Sequence, residues 1–144
     1  MIKGLLDSGA MPALERLVQF TGARHKLLVD DVANLSTPFF KPRDLDPASF
    51  QASLRGAIDD RRRQPNPTRG GLNLRDTREI SFKTGRVEVK GRPMNDNILF
   101  HDRNNRDLER IMQHLAENTM AHNAGVDLLR NQFDLLKTAI RGRL

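Results

Sequence analysis

The chain has 144 residues, with no Cys, Trp or Tyr and only 5% aromatic content. This is one domain at most; disulfides and thiolate metal sites are excluded, and so few large rings favour helices packed along a seam over a compact core. A formal charge of +6 and a pI near 10.5 suit nucleic acid, an anionic surface or an acidic partner, and the apolar runs are too short to cross a bilayer.

Met1 to Met11 reads as a flexible lead-in with a small apolar knot at Leu5 and Leu6, without the continuous apolar run of a cleavable signal peptide. Pro12 suits the first position of a helix, and the spacing predicts a helix over 12–35 with Glu15 in its first turn. Along it, Leu14, Val18, Thr21, His25, Leu28, Val32 and Leu35 alternate steps of four and three, the rhythm of a helix wound on a partner. Thr37-Pro38 stops the helix, because a residue before proline is pushed out of the α region. Phe39 to Pro42 then forms an extended apolar connector. Asp46-Pro47 reads as an N-cap followed by proline at the first turn, and Phe50, Leu54, Ala57 and Ile58 define a short helix to about Arg62.

Between Arg61 and Asn97 the character changes, with ten Lys/Arg against four acidic residues and repeated Gly and Pro breaks. Inside this basic insert, 79–82 and 86–89 alternate polar and apolar around Thr84-Gly85, the pattern of a small hairpin. From about Asp102, a candidate cap, one long helix runs to Arg141, roughly 60 Å at 1.5 Å per residue. Its seam reads Leu108, Met112, Leu115, Thr119, His122, Val126, Leu129, Phe133, Leu136 and Ile140. Gly125 inside that helix costs about 1 kcal/mol relative to Ala, which marks a place of close backbone approach.

Folded back as an antiparallel hairpin, the two long helices align Leu35 with Leu108 and Leu28 with Leu115. That register gathers Thr21, His25, Thr119 and His122 into one polar layer, a device that sets register at some expense in stability. Leu17, Leu27, Ile111, Leu128 and Leu135 widen the apolar stripe beyond what two helices can cover, which points to packing between molecules. The expected fold is mainly α: terminal helices in an antiparallel coiled-coil hairpin, a short middle helix, and a basic, partly disordered or hairpin-forming insert. The segments divide as 1–60, 61–97 and 98–144, with the two termini forming one domain.

No catalytic or metal constellation is expected. His25, His101, His114 and His122 form no i, i+4 pair, and Asp30-Asp31 and Asp59-Asp60 read as solvated helix faces. No cofactor is expected. The Arg61-Arg62-Arg63 run and Arg69-Gly70-Gly71 leave a basic nucleic-acid-binding protein as an alternative, and a general coiled-coil adaptor as another, although no aromatic lies between Arg61 and Ile80 to stack a base.

The end of the first helix carries a resemblance. Val32-Ala33-Asn34-Leu35-Ser36-Thr37-Pro38-Phe39-Phe40 resembles the A-N-x-x-T-P-G-[YF] signature of bacterial flagellar rod and hook proteins. Lys41-Pro42-Arg43-Asp44-Leu45-Asp46 is similar to the K-x-R-D-[IL]-D stretch of the proximal rod, or FlgB, type. Leu115 to Asn118 and Leu135 to Arg143 resemble the terminal helix of that family, so the match covers about the first 50 and last 45 residues. Two features depart from it: Phe39 stands at the signature Gly, and the usual Gly-Asn-x-Val appears only as Asp96-Asn97-Ile98-Leu99. The resemblance implies a non-enzymatic subunit of the basal-body rod in the periplasm, exported through the flagellar type III apparatus without a cleaved signal. It also implies homo- and hetero-oligomeric partners, namely other rod subunits and the adaptor joining rod to membrane ring, and no nucleic acid. The assembly interface it implies comprises Leu14, Val18, Leu28, Val32, Leu35, Leu108, Met112, Leu115, Val126, Leu129, Phe133, Leu136 and Ile140. The signature turn comprises Ala33, Asn34, Thr37, Pro38, Phe39 and Phe40.

Overall fold

A computed structural model describes residues 9–66, 71–83, 86–94 and 107–142. The lead-in to Ser8, the Asp102 cap and Asp96 to Leu99 lie outside these residues. Three helices, α1 (Met11–Ala33), α2 (Pro47–Arg62) and α3 (Leu108–Arg141), carry the fold together with two small two-stranded sheets.

Helix α1 ends two residues earlier than its apolar pattern suggests. Asn34 caps it, its backbone N–H and its side-chain amide both donating to the Asp30 carbonyl, so the side chain competes with the next helical bond. Because the helix starts at Met11, Glu15 lies beyond the first turn, and its carboxylate accepts from Gln19 instead. The chain then makes a tight turn, with Phe40 N–H donating to the Thr37 carbonyl at 3.3 Å. Pro38 and Phe39 take its two central positions, and Phe39 adopts a positive φ of 63°. The left-handed backbone is therefore retained although no Gly is present, at a cost of roughly 1–2 kcal/mol for an L side chain.

Helix α2 matches its expected limits. The Asp46 side chain accepts from Ala48 N–H at 2.9 Å, and Pro47 occupies the first turn. Strands β2 (Ile80–Lys83) and β3 (Arg86–Val89) pair antiparallel, with Ile80 opposite Val89 and Phe82 opposite Val87. The connector contributes something the sequence did not announce. Its strand β1 (Arg43–Asp44) pairs with β4 (Arg92–Pro93), clipping the far end of the insert to the start of α2. Gly91 is required beside this clip, since a Cβ there would stand 3.0 Å from both Arg43 Cβ and Leu27 Cδ1.

The core sits between α1, α2 and the hairpin. Phe20, Leu45, Phe50 and Ile80 are buried together, and Phe20 stacks on Phe50 with ring centroids 4.0 Å apart. Phe82 and Val87 pack against this cluster, and the Arg16 guanidinium lies 5.3 Å above the Phe82 ring. The described strands of the insert thus pack on the core, and a pair of strands too small to stand alone is stabilised by helix packing.

Helix α3 is capped at both ends: the Asp107 side chain accepts from Arg110 N–H at 3.1 Å, and Gly142 closes it at φ 62°. It pairs antiparallel with α1. Gly125 lies in a tight part of the seam, where an added Cβ would meet Val18 Cγ2 at 3.3 Å and Leu17 Cδ2 at 3.4 Å. Gly125→Leu should therefore overpack the seam and destabilise the fold by about 1–3 kcal/mol, read as a lower urea midpoint with an unchanged slope.

Candidate assembly interface

The interface begins with how α1 and α3 divide their surfaces. The expected register holds at its centre: Thr21 meets His122, with 2.8 Å between Thr21 Oγ1 and His122 Nδ1. The Thr21 hydroxyl also lies 2.9 Å from the Leu17 carbonyl of its own helix, so it joins that carbonyl to the His122 ring. The other two members of the expected polar layer do not join. His25 is exposed, and Thr119 donates to the Leu115 carbonyl in its own helix. Asn118 takes their place; it is 2% exposed and its side-chain amide donates to the Thr21 carbonyl at 2.9 Å.

This exchange is one instance of a general shift. On α1 the fully buried seam positions include Arg24 and Asp31, where the heptad pattern placed His25 and Val32. On α3 they are Ile111, Asn118 and Gly125, where it placed Met112, Thr119 and Val126. The alternate positions stay, so each helix is turned by about half of its 100° per residue, roughly 50°. Leu28 is completely buried, and Leu14, Val18, Val32, Leu35, Leu115, Val126, Leu129 and Leu136 are half-buried. Leu108, Met112, Phe133 and Ile140 are exposed, the last by 74%. Of the flanking residues, Ile111 is core and Leu17 and Leu27 pack against the core cluster, whereas Leu128 and Leu135 remain exposed.

The cause of the turn is a buried polar clasp that apolar periodicity could not report. Arg24 reaches the strand after the signature turn, donating from Nε to Asp44 Oδ1 at 2.7 Å and pairing its second nitrogen with Oδ2. Such a forked pair is strong only because both oxygens are engaged. From α3, His114 Nδ1 comes within 3.1 Å of the same Asp44 carboxylate. Asp31, expected on a solvated face, is 1% exposed and accepts from Arg43 N–H at 2.9 Å. One connector strand therefore holds α1 at two points, while His114 of α3 lies close to it without a hydrogen bond. The signal available in the sequence was the acidic and basic content of Lys41 to Asp46, which needs partners if that connector is to pack.

Around the clasp lies a cleft of about 390 Å³ lined by charges of both signs, including Arg92, Arg110, Glu79 and Glu117. Among the described residues, no group of three His, Asp or Glu is placed to hold a metal ion. The basic run of the insert is also divided: Arg61 is buried and donates to the Gly9 carbonyl, while Arg62, Arg63 and Arg75 lie within 4 Å of Asp59 or Asp60. No described helix is long and apolar enough to cross a membrane.

On α3, then, large apolar side chains stand uncovered within the described chain: Phe133 and Ile140 continue the α1-facing seam past the end of α1, and Leu128 and Leu135 lie on another face. Comparison with known proteins bears on what such a surface is for. No family model matches the chain. It is 28% identical over 121 residues to the flagellar basal body rod protein FlgB of Cereibacter sphaeroides, covering 83% of this chain and 84% of that protein. Against the protein of the same name from Borrelia hermsii the identity is 28% over 130 residues, 88% and 91% of the two chains. For Bacillus subtilis it is 25% over 137 residues, 95% and 97%. The chain resembles flagellar basal body rod proteins along most of its length. The resemblance read from the terminal motifs thus extends across the basic insert.

Burial pushes the Asp31 carboxyl up to about 7, with Asp30 and Asp44 adding to the rise and the Arg43 backbone N–H and charge opposing it. In the unfolded chain the group titrates near 3.8. The contribution of its neutral form is complete below that value and is lost as pH rises through about 7. Asp31→Asn should accordingly be more stable than the parent above pH 7, with the gap closing as pH falls toward 4, measured by urea unfolding across that range.

Proposed function

We propose that the chain is a structural subunit of the bacterial flagellar basal-body rod, assembling through its terminal helices in support of flagellum-dependent motility. The observation that carries this reading is the uncovered apolar surface of α3. At 1.5 Å per residue its 34 residues reach about 51 Å and the 23 of α1 about 35 Å, so its last turns have no partner in the described hairpin. Phe133 and Ile140, which continue the seam past the end of α1, and Leu128 and Leu135 on a second face are each at least 40% exposed, and apolar surface of this extent marks an interaction surface. The resemblance to relatives bearing the rod-protein name supports reading it as a surface for assembly.

In this reading the subunit has no enzymatic role. Its neighbours are other rod subunits and the adaptor to the membrane ring, and it reaches the periplasmic rod through the flagellar type III export apparatus without a cleaved signal. Repeated contacts between unlike patches build open assemblies instead of closed dimers, which suits a rod.

Phe133→Asp and Leu135→Asp separate assembly from folding. Both residues are exposed, so the isolated chain should keep its stability within about 0.5 kcal/mol. In flagellated cells either variant should abolish swimming in soft agar and remove the chain from purified basal bodies. Wild-type swimming by both would contradict the proposal.

A further inference from the structure

We infer, resting on the rod reading above, that the Phe39 turn of one copy seats in the groove between α2 and α3 of a second copy, with Lys41 facing Glu117. Phe39 is 72% exposed, the most prominent aromatic of the described chain after folding, and its φ of 63° is one that Gly would adopt without steric penalty. A bulky L side chain thus occupies a strained turn position while its ring stays in solvent. The turn is rigid as well: Thr37 N–H donates to the Asn34 carbonyl at 2.9 Å, Phe40 N–H donates to the Thr37 carbonyl, and the following Pro42 is fully buried. An anchor ordered before it docks loses little entropy on binding. Exposed Lys41 and Arg43 stand beside it and call for a carboxylate on the receiving surface.

The same chain carries a site of matching chemistry. The groove is lined by the apolar side chains of Leu17, Pro47 and Ala121 together with the polar ones of Arg24, Gln51 and Glu117, Arg24 being already paired with Asp44, and encloses about 210 Å³. A cavity of about 150 Å³ is enough to accept benzene, so a Phe side chain fits. The stacked Phe20 and Phe50 rings are themselves buried, so an entering ring contacts chiefly Leu17, Pro47 and Ala121. A copy cannot fill its own groove. The turn follows Ala33 at the end of α1, whereas the groove ends at Arg24, nine residues and about 14 Å back along a stiff helix. Knob and groove are different patches, so the contact passes from copy to copy without closing.

The absence of Cys makes a direct test clean. In flagellated cells carrying Phe39→Cys with Ala121→Cys, oxidation of purified basal bodies should give disulfide-linked dimers and higher ladders, absent from either single variant. Independently, Lys41→Glu should shrink the soft-agar halo at least twofold, and adding Glu117→Lys should restore it. If the double-Cys chain fails to incorporate, the charge pair decides alone. A chain present in basal bodies that neither cross-links nor responds to Lys41→Glu overturns this contact and leaves the rod reading standing. A wild-type chain missing from basal bodies overturns both.

Discussion

Helix α1 must pack against two bodies at once, and the rest of the fold follows from that demand. Its one face meets α3; its other meets α2 and the hairpin through Phe20, which stacks on Phe50. A helix carrying an apolar stripe of ordinary width cannot point it fully at both. The solution is to fill part of the seam with polar groups whose partners come from the connector: Arg24 on Asp44, and Asp31 on the Arg43 backbone. Burying polar and charged groups is tolerable only where each finds a partner, and β1 supplies one to both Arg24 and Asp31. The β1–β4 clip is thus what allows α1 to serve two interfaces.

The consequence for α3 is a surplus. With α1 turned toward the clasp, the closest contacts on α3 fall to Ile111, Asn118 and Gly125, one residue before three of the larger or β-branched positions of its heptad rhythm. Val126 is left half-buried, and Met112 and Phe133 are exposed. A helix whose apolar pattern is wider than its intramolecular contact is stable in the monomer only along the contacted part. The remainder calls for burial elsewhere, which neighbouring subunits would supply in the rod proposed above.

Much of this was legible in advance. Pro12, Asp46-Pro47 and the 79–89 alternation located three elements because each rests on local chemistry: proline at a first turn, a capping carboxylate, and period-two apolarity. The register was legible too, since aligning two heptad runs leaves few choices and places Thr21 beside His122. The rotation was not, because periodicity ranks residues by hydrophobicity and scores Arg24, Asp31 and Asn118 as surface. Only the tertiary partners Asp44, Arg43 N–H and Thr21 O make those positions inward. Phe39 failed in the opposite direction: its type argued against a left-handed turn, yet the Thr37–Phe40 turn enforces it.

The central claim is that the hairpin is incomplete without neighbours, and amide hydrogen exchange along α3 in the isolated, monomeric chain tests it most directly. The account predicts strong protection around Ile111 to Gly125, where α1 covers the helix, falling toward rapid exchange over the turns from Phe133 to Arg141. Uniform protection from Ile111 to Arg141 in the monomer would contradict it, because the helix would then be complete without a partner.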